Sequence, residues 1–302
     1  MTPPSPPATV ASEPVRAIRL AWRAAGRGFV EFYNSENLTF ASSIAYYSLL
    51  SFFPFLVLVL SLVSRLAVGG DDQAFAVLIE RSLPRSFEKL IEQIQVMAAT
   101  PLKLSLLGTL VTMWASMGVF GAVTSAVNHA WGVEKNYGFF KHKLVAFLMM
   151  MAAGGLLIVA LFLMTAIQIA ETSWFAGLLQ TYPPLQDLQS FAVRNAPTPL
   201  FILVVGFIYY FVPNAQVRLR DVWFGAILAG VLWRLAFSGF AWYVRDPARL
   251  SVHGSIAIGV AFLLWVYVQA VILLYGVEVT AAYARLRKHL PQTAPAAPVR
   301  EG

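Results

Sequence analysis

Apolar runs long enough to cross a bilayer are the feature that most restricts how this chain can fold. They lie at about 38–66, 104–131, 144–170, 198–212, 222–244 and 255–282. A spanning helix needs about 20 mainly apolar residues, and all but the run at 198–212 have that length. Only 12% of the 302 residues are charged and 58% are hydrophobic, whereas a soluble domain carries about 25% charged residues. A chain this long with so few charges cannot cover a soluble surface. The expected fold is an all-α integral membrane protein with about six transmembrane helices plus amphipathic interfacial helices, its transmembrane domain covering 37–289.

The flanks read differently. Residues 1–13 and 290–302 are rich in Pro, Ser, Thr and Ala; they bury too little apolar surface to order themselves and are expected to be disordered tails. Between the first tail and the first span, residues 14–36 read as a cytoplasmic amphipathic helix. Ile18, Trp22, Ala25 and Phe29 repeat at helical spacing on one face, and Arg16, Arg19, Arg23 and Arg27 fall on another. Two placements stay open: flat in the membrane interface, with the arginines among the anionic lipids of the inner leaflet, or packed against the protein's own cytoplasmic end. No cleavable signal peptide is expected, because the first apolar run is too long for one.

Basic residues fix the expected orientation. They fall in the N-terminal segment, at Lys135, Lys141 and Lys143, at Arg218 and Arg220, and at Arg285, Arg287 and Lys288. The alternate connections are mixed or acidic. The positive-inside rule then places both termini in the cytoplasm, which requires an even number of spans. This rule also accounts for the net charge of +7 without a nucleic-acid partner. In the first external loop, Phe87, Leu90, Ile91, Ile94 and Met97 mark one face of a second amphipathic helix at about 84–99, and Trp174 and Tyr182 read as outer-interface anchors.

Polar groups inside a membrane are costly, so each needs a reason. The first span carries Ser42, Ser43, Tyr46, Tyr47, Ser48 and Ser51, followed by Pro54, which favours a kink. It is either a central packing helix with its hydroxyls on backbone carbonyls, or the lining of a polar cavity. Arg234 lies roughly 20 Å along the fifth span, and Glu278 about 10 Å from the inner boundary of the sixth. Arg234 is expected to face the bundle interior near Tyr47 and Ser51, and a direct Arg234–Glu278 pair is one option. Ala226 with Gly230, and Gly118 with Gly121 and Ser125, have the spacing of close helix contacts.

Catalytic patterns are absent. There is no cysteine, the four histidines are scattered, and no phosphate-binding loop or nucleophile elbow appears. A nuclease would need carboxylates converging on metal ions, yet Glu31, Glu36, Glu134 and Asp221 are spread over different segments. No cofactor is expected.

Four motifs together resemble the YihY/BrkB family of bacterial inner-membrane proteins: SSIAYYSLLSFFPFLVLVLSL beginning at Ser42, AVNHAWGV at 126–133, YYFVPNAQV at 209–217 and SVHGSIAIGVAFLLWVYVQAVILLYGVEV at 251–279. They cover nearly the whole chain in order. His253 departs from the pattern, where the resemblance leads us to expect Tyr. These motifs add Asn128, Pro213, Asn214 and Gly254 to the candidate positions Tyr46, Tyr47, Ser51, Pro54, Arg234 and Glu278. The family often carries the label ribonuclease BN, which the residues above do not support. The polar first span, Arg234, Glu278 and the two interfacial helices lead to the expectation of a non-enzymatic inner-membrane protein that transports or exports a lipid or other amphiphile. The alternatives are an assembly factor of the cell envelope and a membrane-tethered ribonuclease.

Overall fold

The computed structural model describes residues 13–66, 106–133, 138–172, 195, 197–244 and 254–288. Among them the chain forms eight helices: α1 (Glu13–Asn34), α2 (Asn37–Leu66), α3 (Leu106–Ser116), α4 (Gly118–Ala130), α5 (Phe139–Thr172), α6 (Pro197–Phe211), α7 (Leu219–Val244) and α8 (Gly254–Lys288). No strand occurs among the described residues. The external helix expected at about 84–99, the anchors Trp174 and Tyr182, His253 and nearly all of both tails lie outside them.

The protein is an all-α membrane protein. α2, α3 and α4 taken together, α5, α7 and α8 are each long and apolar enough to cross a membrane. α6 has 15 residues, or about 22 Å at 1.5 Å per residue, short of a hydrocarbon core of roughly 30 Å. It is the run that the sequence already marked as short.

α8 is the hub, packing on α1, α2, α4 and α7. The buried core contains Ala226 and Ala229 of α7, Leu274 and Val277 of α8, Ala126 and Val127 of α4, and Ile44 of α2. Small residues make these crossings close, as the spacing suggested. A methyl group on Gly230 would strike Ile202 of α6, and one on Gly225 would strike Thr280 and the Gly276 carbonyl of α8. Gly276 itself lies under the Tyr209 hydroxyl, which donates to the Leu273 carbonyl at 2.7 Å.

α1 uses three faces. Ala24 and Gly28 are buried, and a Cβ on Gly28 would come within 2.9 Å of the Val279 backbone. The Tyr275 hydroxyl donates to the Ala25 carbonyl at 3.2 Å, and Phe29 and Phe32 meet the Tyr275 ring edge-on. Trp22, 75% exposed, shares an outward side with Phe29 and Tyr33, and the exposed Arg19, Arg23 and Arg27 lie beyond it. Docking on the protein and an outward amphipathic surface therefore coexist on one helix, because the docking edge is made of small residues between the other two faces.

Candidate functional site

Two places gather the polar groups. The first is midway along α2. The Ser51 hydroxyl donates to the Ala115 carbonyl at 3.0 Å and accepts from the Val119 amide at 3.3 Å. In an unbroken helix those two backbone groups would bond to each other, being four residues apart. A hydroxyl from α2 thus occupies one rung of the neighbouring span, and α3 gives way to α4 there, at Met117. Insertion of a side chain into the backbone ladder is a recognised cause of a kink. Gly118 makes the approach possible, since a Cβ there would stand 3.0 Å from Ser51 Oγ and 3.2 Å from the Tyr47 ring. Pro54, which has no backbone N–H to donate, lies in the next turn of α2, so the continuous α2 helix lacks one rung near the level where α3 gives way to α4. Tyr46 and Tyr47 are 57% and 44% exposed, with Ser42 also exposed.

The second place is the end of the bundle where α1 meets α2. Asn37, fully buried at the start of α2, donates through Nδ2 to Glu278 Oε1 at 2.8 Å and to the Ser35 hydroxyl. Arg285 bridges Glu31 at 2.7 Å and the Ala130 carbonyl at 2.8 Å, and Arg27 completes the Glu31 pair at 3.0 Å. Asp221, buried at the start of α7, is ion-paired with Arg287. Asn128 donates to the Thr124 carbonyl and accepts the Asn214 amide at 2.7 Å. Gly132, at φ +68°, ends α4: its own amide bonds to the His129 carbonyl and that of Val133 to the Asn128 carbonyl. Such a left-handed cap favours glycine. The AVNHAWGV and VPNA segments thus form one joint between α4 and the α6–α7 turn, with Pro213 buried inside it and Asn214 exposed.

The candidates therefore divide. Tyr47, Ser51 and Pro54 come together with Gly118, and Asn128 comes together with Asn214. Glu278 joins Asn37, a residue that the sequence reading did not single out. Gly254 begins α8. Arg234 stands apart. It is half-buried and shares its side of α7 with the exposed Ile227, Val231 and Ser238, away from buried Val222, Ala226 and Ala229. The main partners of α7 are α6 and α8, not the α2 region where Arg234 was expected. Its guanidinium has no ion-pair or hydrogen-bond partner among the described residues, Glu278 included. Sequence reasoning also missed Gln269, whose buried amide atoms have no hydrogen-bond partner among the described residues. A lone Gln in a 35-residue apolar helix was the available signal. No group of three metal-ligating side chains occurs among the described residues.

A family model described as virulence factor BrkB matches residues 29–300. The chain belongs to the BrkB family. It is 29% identical over 273 residues to a Bacillus subtilis protein named ribonuclease-like protein YfkH, with 88% of this chain and 97% of that one covered. It is 28% identical to a UPF0761 membrane protein of Vibrio vulnificus, covering 90% of this chain and 87% of that one. A UPF0761 membrane protein of Alkalilimnicola ehrlichii is 27% identical over 84% of this chain, which spans 56% of that relative's length. No solved structure matches.

Proposed function

We propose that this BrkB-family chain is a non-enzymatic protein of the bacterial inner membrane, with both termini cytoplasmic, that moves or exports a lipid or other amphiphile. The observation that carries this reading is the mid-membrane meeting of α2 with α3 and α4. α3 gives way to α4 there against the proline-bearing stretch of α2, and α2 exposes Ser42, Tyr46 and Tyr47 within an apolar span. Irregular backbone at membrane depth is tolerated where protein or a wet cavity satisfies it, and exposed hydroxyls suit the polar head of an amphiphile. The orientation rests on the positive-inside rule: Arg27, Arg285 and Arg287 meet at one end of the bundle, with Arg218 and Arg220 where α7 begins there and Lys288 at the end of α8.

The test is reconstitution into vesicles carrying a headgroup-labelled lipid, followed by chemical quenching from outside. The protein should accelerate transbilayer movement over empty vesicles, and Tyr46→Phe with Tyr47→Phe should reduce the gain. Movement no faster than in empty vesicles, across neutral and anionic headgroups, would sink the transport reading.

The ribonuclease-like name of the Bacillus relative is not carried over. Glu31 and Asp221 are each engaged by arginine, an arrangement that neutralises carboxylates rather than offering them to metal ions. Protein purified to homogeneity should show no ribonuclease activity with Mg²⁺, Mn²⁺ or Zn²⁺. Activity that persists through purification and vanishes in Asp221→Asn would contradict this.

A further inference from the structure

Three carboxylates at the basic end of the bundle hold different company. Glu31 takes Arg27 and Arg285, and Asp221 takes Arg287. Glu278 is 3% exposed, and its hydrogen-bonding company is neutral: the Asn37 amide at 2.8 Å and, beside it, the Ser35 hydroxyl. Arg285 lies two turns further along α8, yet its guanidinium is directed to Glu31 and the Ala130 carbonyl.

A carboxylate taken out of water without a cation is costly, and proteins relieve that cost by pairing or by protonation. The kind of partner decides which. Arginine donates only, so it holds a carboxyl in its charged form. An amide N–H can donate to a carboxylate and, less strongly, to the carbonyl oxygen of the neutral acid. A hydroxyl donates to the first and accepts from the O–H of the second. The Glu278 surroundings therefore keep their geometry in both states, which those of Glu31 and Asp221 do not.

We propose that Glu278 is a reversible proton-binding site. The carboxylate takes one proton from the water at the basic end, becomes the neutral acid without moving, and returns the proton by the same route. Ser35 and the exposed Glu36 form the turn between α1 and α2, so the path to water is short. Arg285 and Glu31 lie near enough to act on Glu278 by charge but are bonded to each other, and the other titratable groups that face this corner have partners of their own. On α1 Glu31 is paired, and on α4 the His129 ring lies against Phe40 at 4.8 Å. On α7 Asp221 is paired, and on α6 Tyr209 bonds to the Leu273 carbonyl. On α8 itself Tyr275 bonds to Ala25, and Arg285 reaches Glu31. α2 supplies only the neutral Asn37. Proton binding here does not depend on the transport reading, since it concerns the end of the bundle and not the Ser51 region.

The experiment uses full-length protein in lipid nanodiscs and dicyclohexylcarbodiimide, which modifies only the protonated acid. The adduct is located by peptide mass spectrometry. Modification should appear at Glu278, quicken as pH falls, and be absent or much slower at Glu31 and Asp221. Infrared spectra should contain a protonated-acid carbonyl band that grows with acid and disappears in Glu278→Gln, whose side chain mimics the neutral acid and should retain the fold. Should that variant fail to fold, the adduct pattern of the unmodified protein decides alone. A folded protein left unmodified at Glu278 at every pH, or modified equally fast at Glu31 and Asp221, overturns the proposal.

Discussion

Gly225 shows how little room one residue has in this bundle. A methyl group there would overlap the Thr280 hydroxyl and the Gly276 carbonyl, both parts of α8. Gly225→Ala should therefore destabilise the protein by about 1–3 kcal/mol, the usual scale for overpacking, or more where backbone must shift. A detergent melting series would measure this, and an unchanged midpoint would mean that α7 and α8 are further apart. The ion pair one turn earlier on α7 makes a different prediction. Arg287→Leu leaves the buried Asp221 carboxylate without its partner, at a cost of up to about 3–5 kcal/mol. Adding Asp221→Leu should recover most of the loss. If the double variant is as unstable as the single one, the pair is not what holds that corner. Glu278 was legible in the sequence because a charge in an apolar run is conspicuous. Asn37 was not, since a polar residue at the head of a helix reads as an ordinary cap. Its role came from burial against a residue 241 positions away. The outward side of Arg234 was equally hidden, because depth along a span says nothing about which way a side chain faces.

Among the elements, α1 carries the clearest expectation. Its sequence offered two placements, and the helix has a face for each. The small residues Ala24 and Gly28 occupy the docking edge, while Trp22, Phe29, Tyr33, Arg19, Arg23 and Arg27 remain outside. A peptide of residues 13–34 should bind anionic vesicles and be released by salt, with about 1 kcal/mol per basic residue near the surface as the scale of the electrostatic part. Binding to neutral vesicles of equal strength would leave only the apolar face as the cause. The small docking edge was hard to read in advance, because Ala and Gly contribute little to a hydrophobic face. α3 and α4 were read as one span, and by length they are one. The break between them comes from a serine on another helix, which no periodicity within 104–131 could have announced.

At the scale of the molecule, the number and order of apolar helices were legible because the bilayer imposes a length on each. Which helix forms the centre was not, since all are comparably apolar. α8 holds that position through Gly276, Thr280 and the alanines of its last turns, which let neighbours approach on several sides. The contacts gather the ends of α1, α4 and α8 and the beginnings of α2 and α7 at one pole. Reporter fusions after Lys288 and near Ser35 should therefore report the same side, the cytoplasm, while a fusion at 71–73 should report the other. Opposite sides for the two polar-end fusions would dismantle the topology.

The rung that Ser51 shares with α3 and α4 has a consequence for hydrogen exchange. The Val119 amide is held by a hydroxyl on α2 and not by its own helix, so its exchange clock is set by the separation of two helices rather than by local fraying. Any motion that parts α2 from α4 should quicken deuterium uptake at this amide before it affects the amides around it. In Ser51→Ala the Val119 amide is free to close on the Ala115 carbonyl, and its protection should then become that of an ordinary mid-helix position. One backbone proton is in this way a built-in gauge of whether the bundle is open or shut.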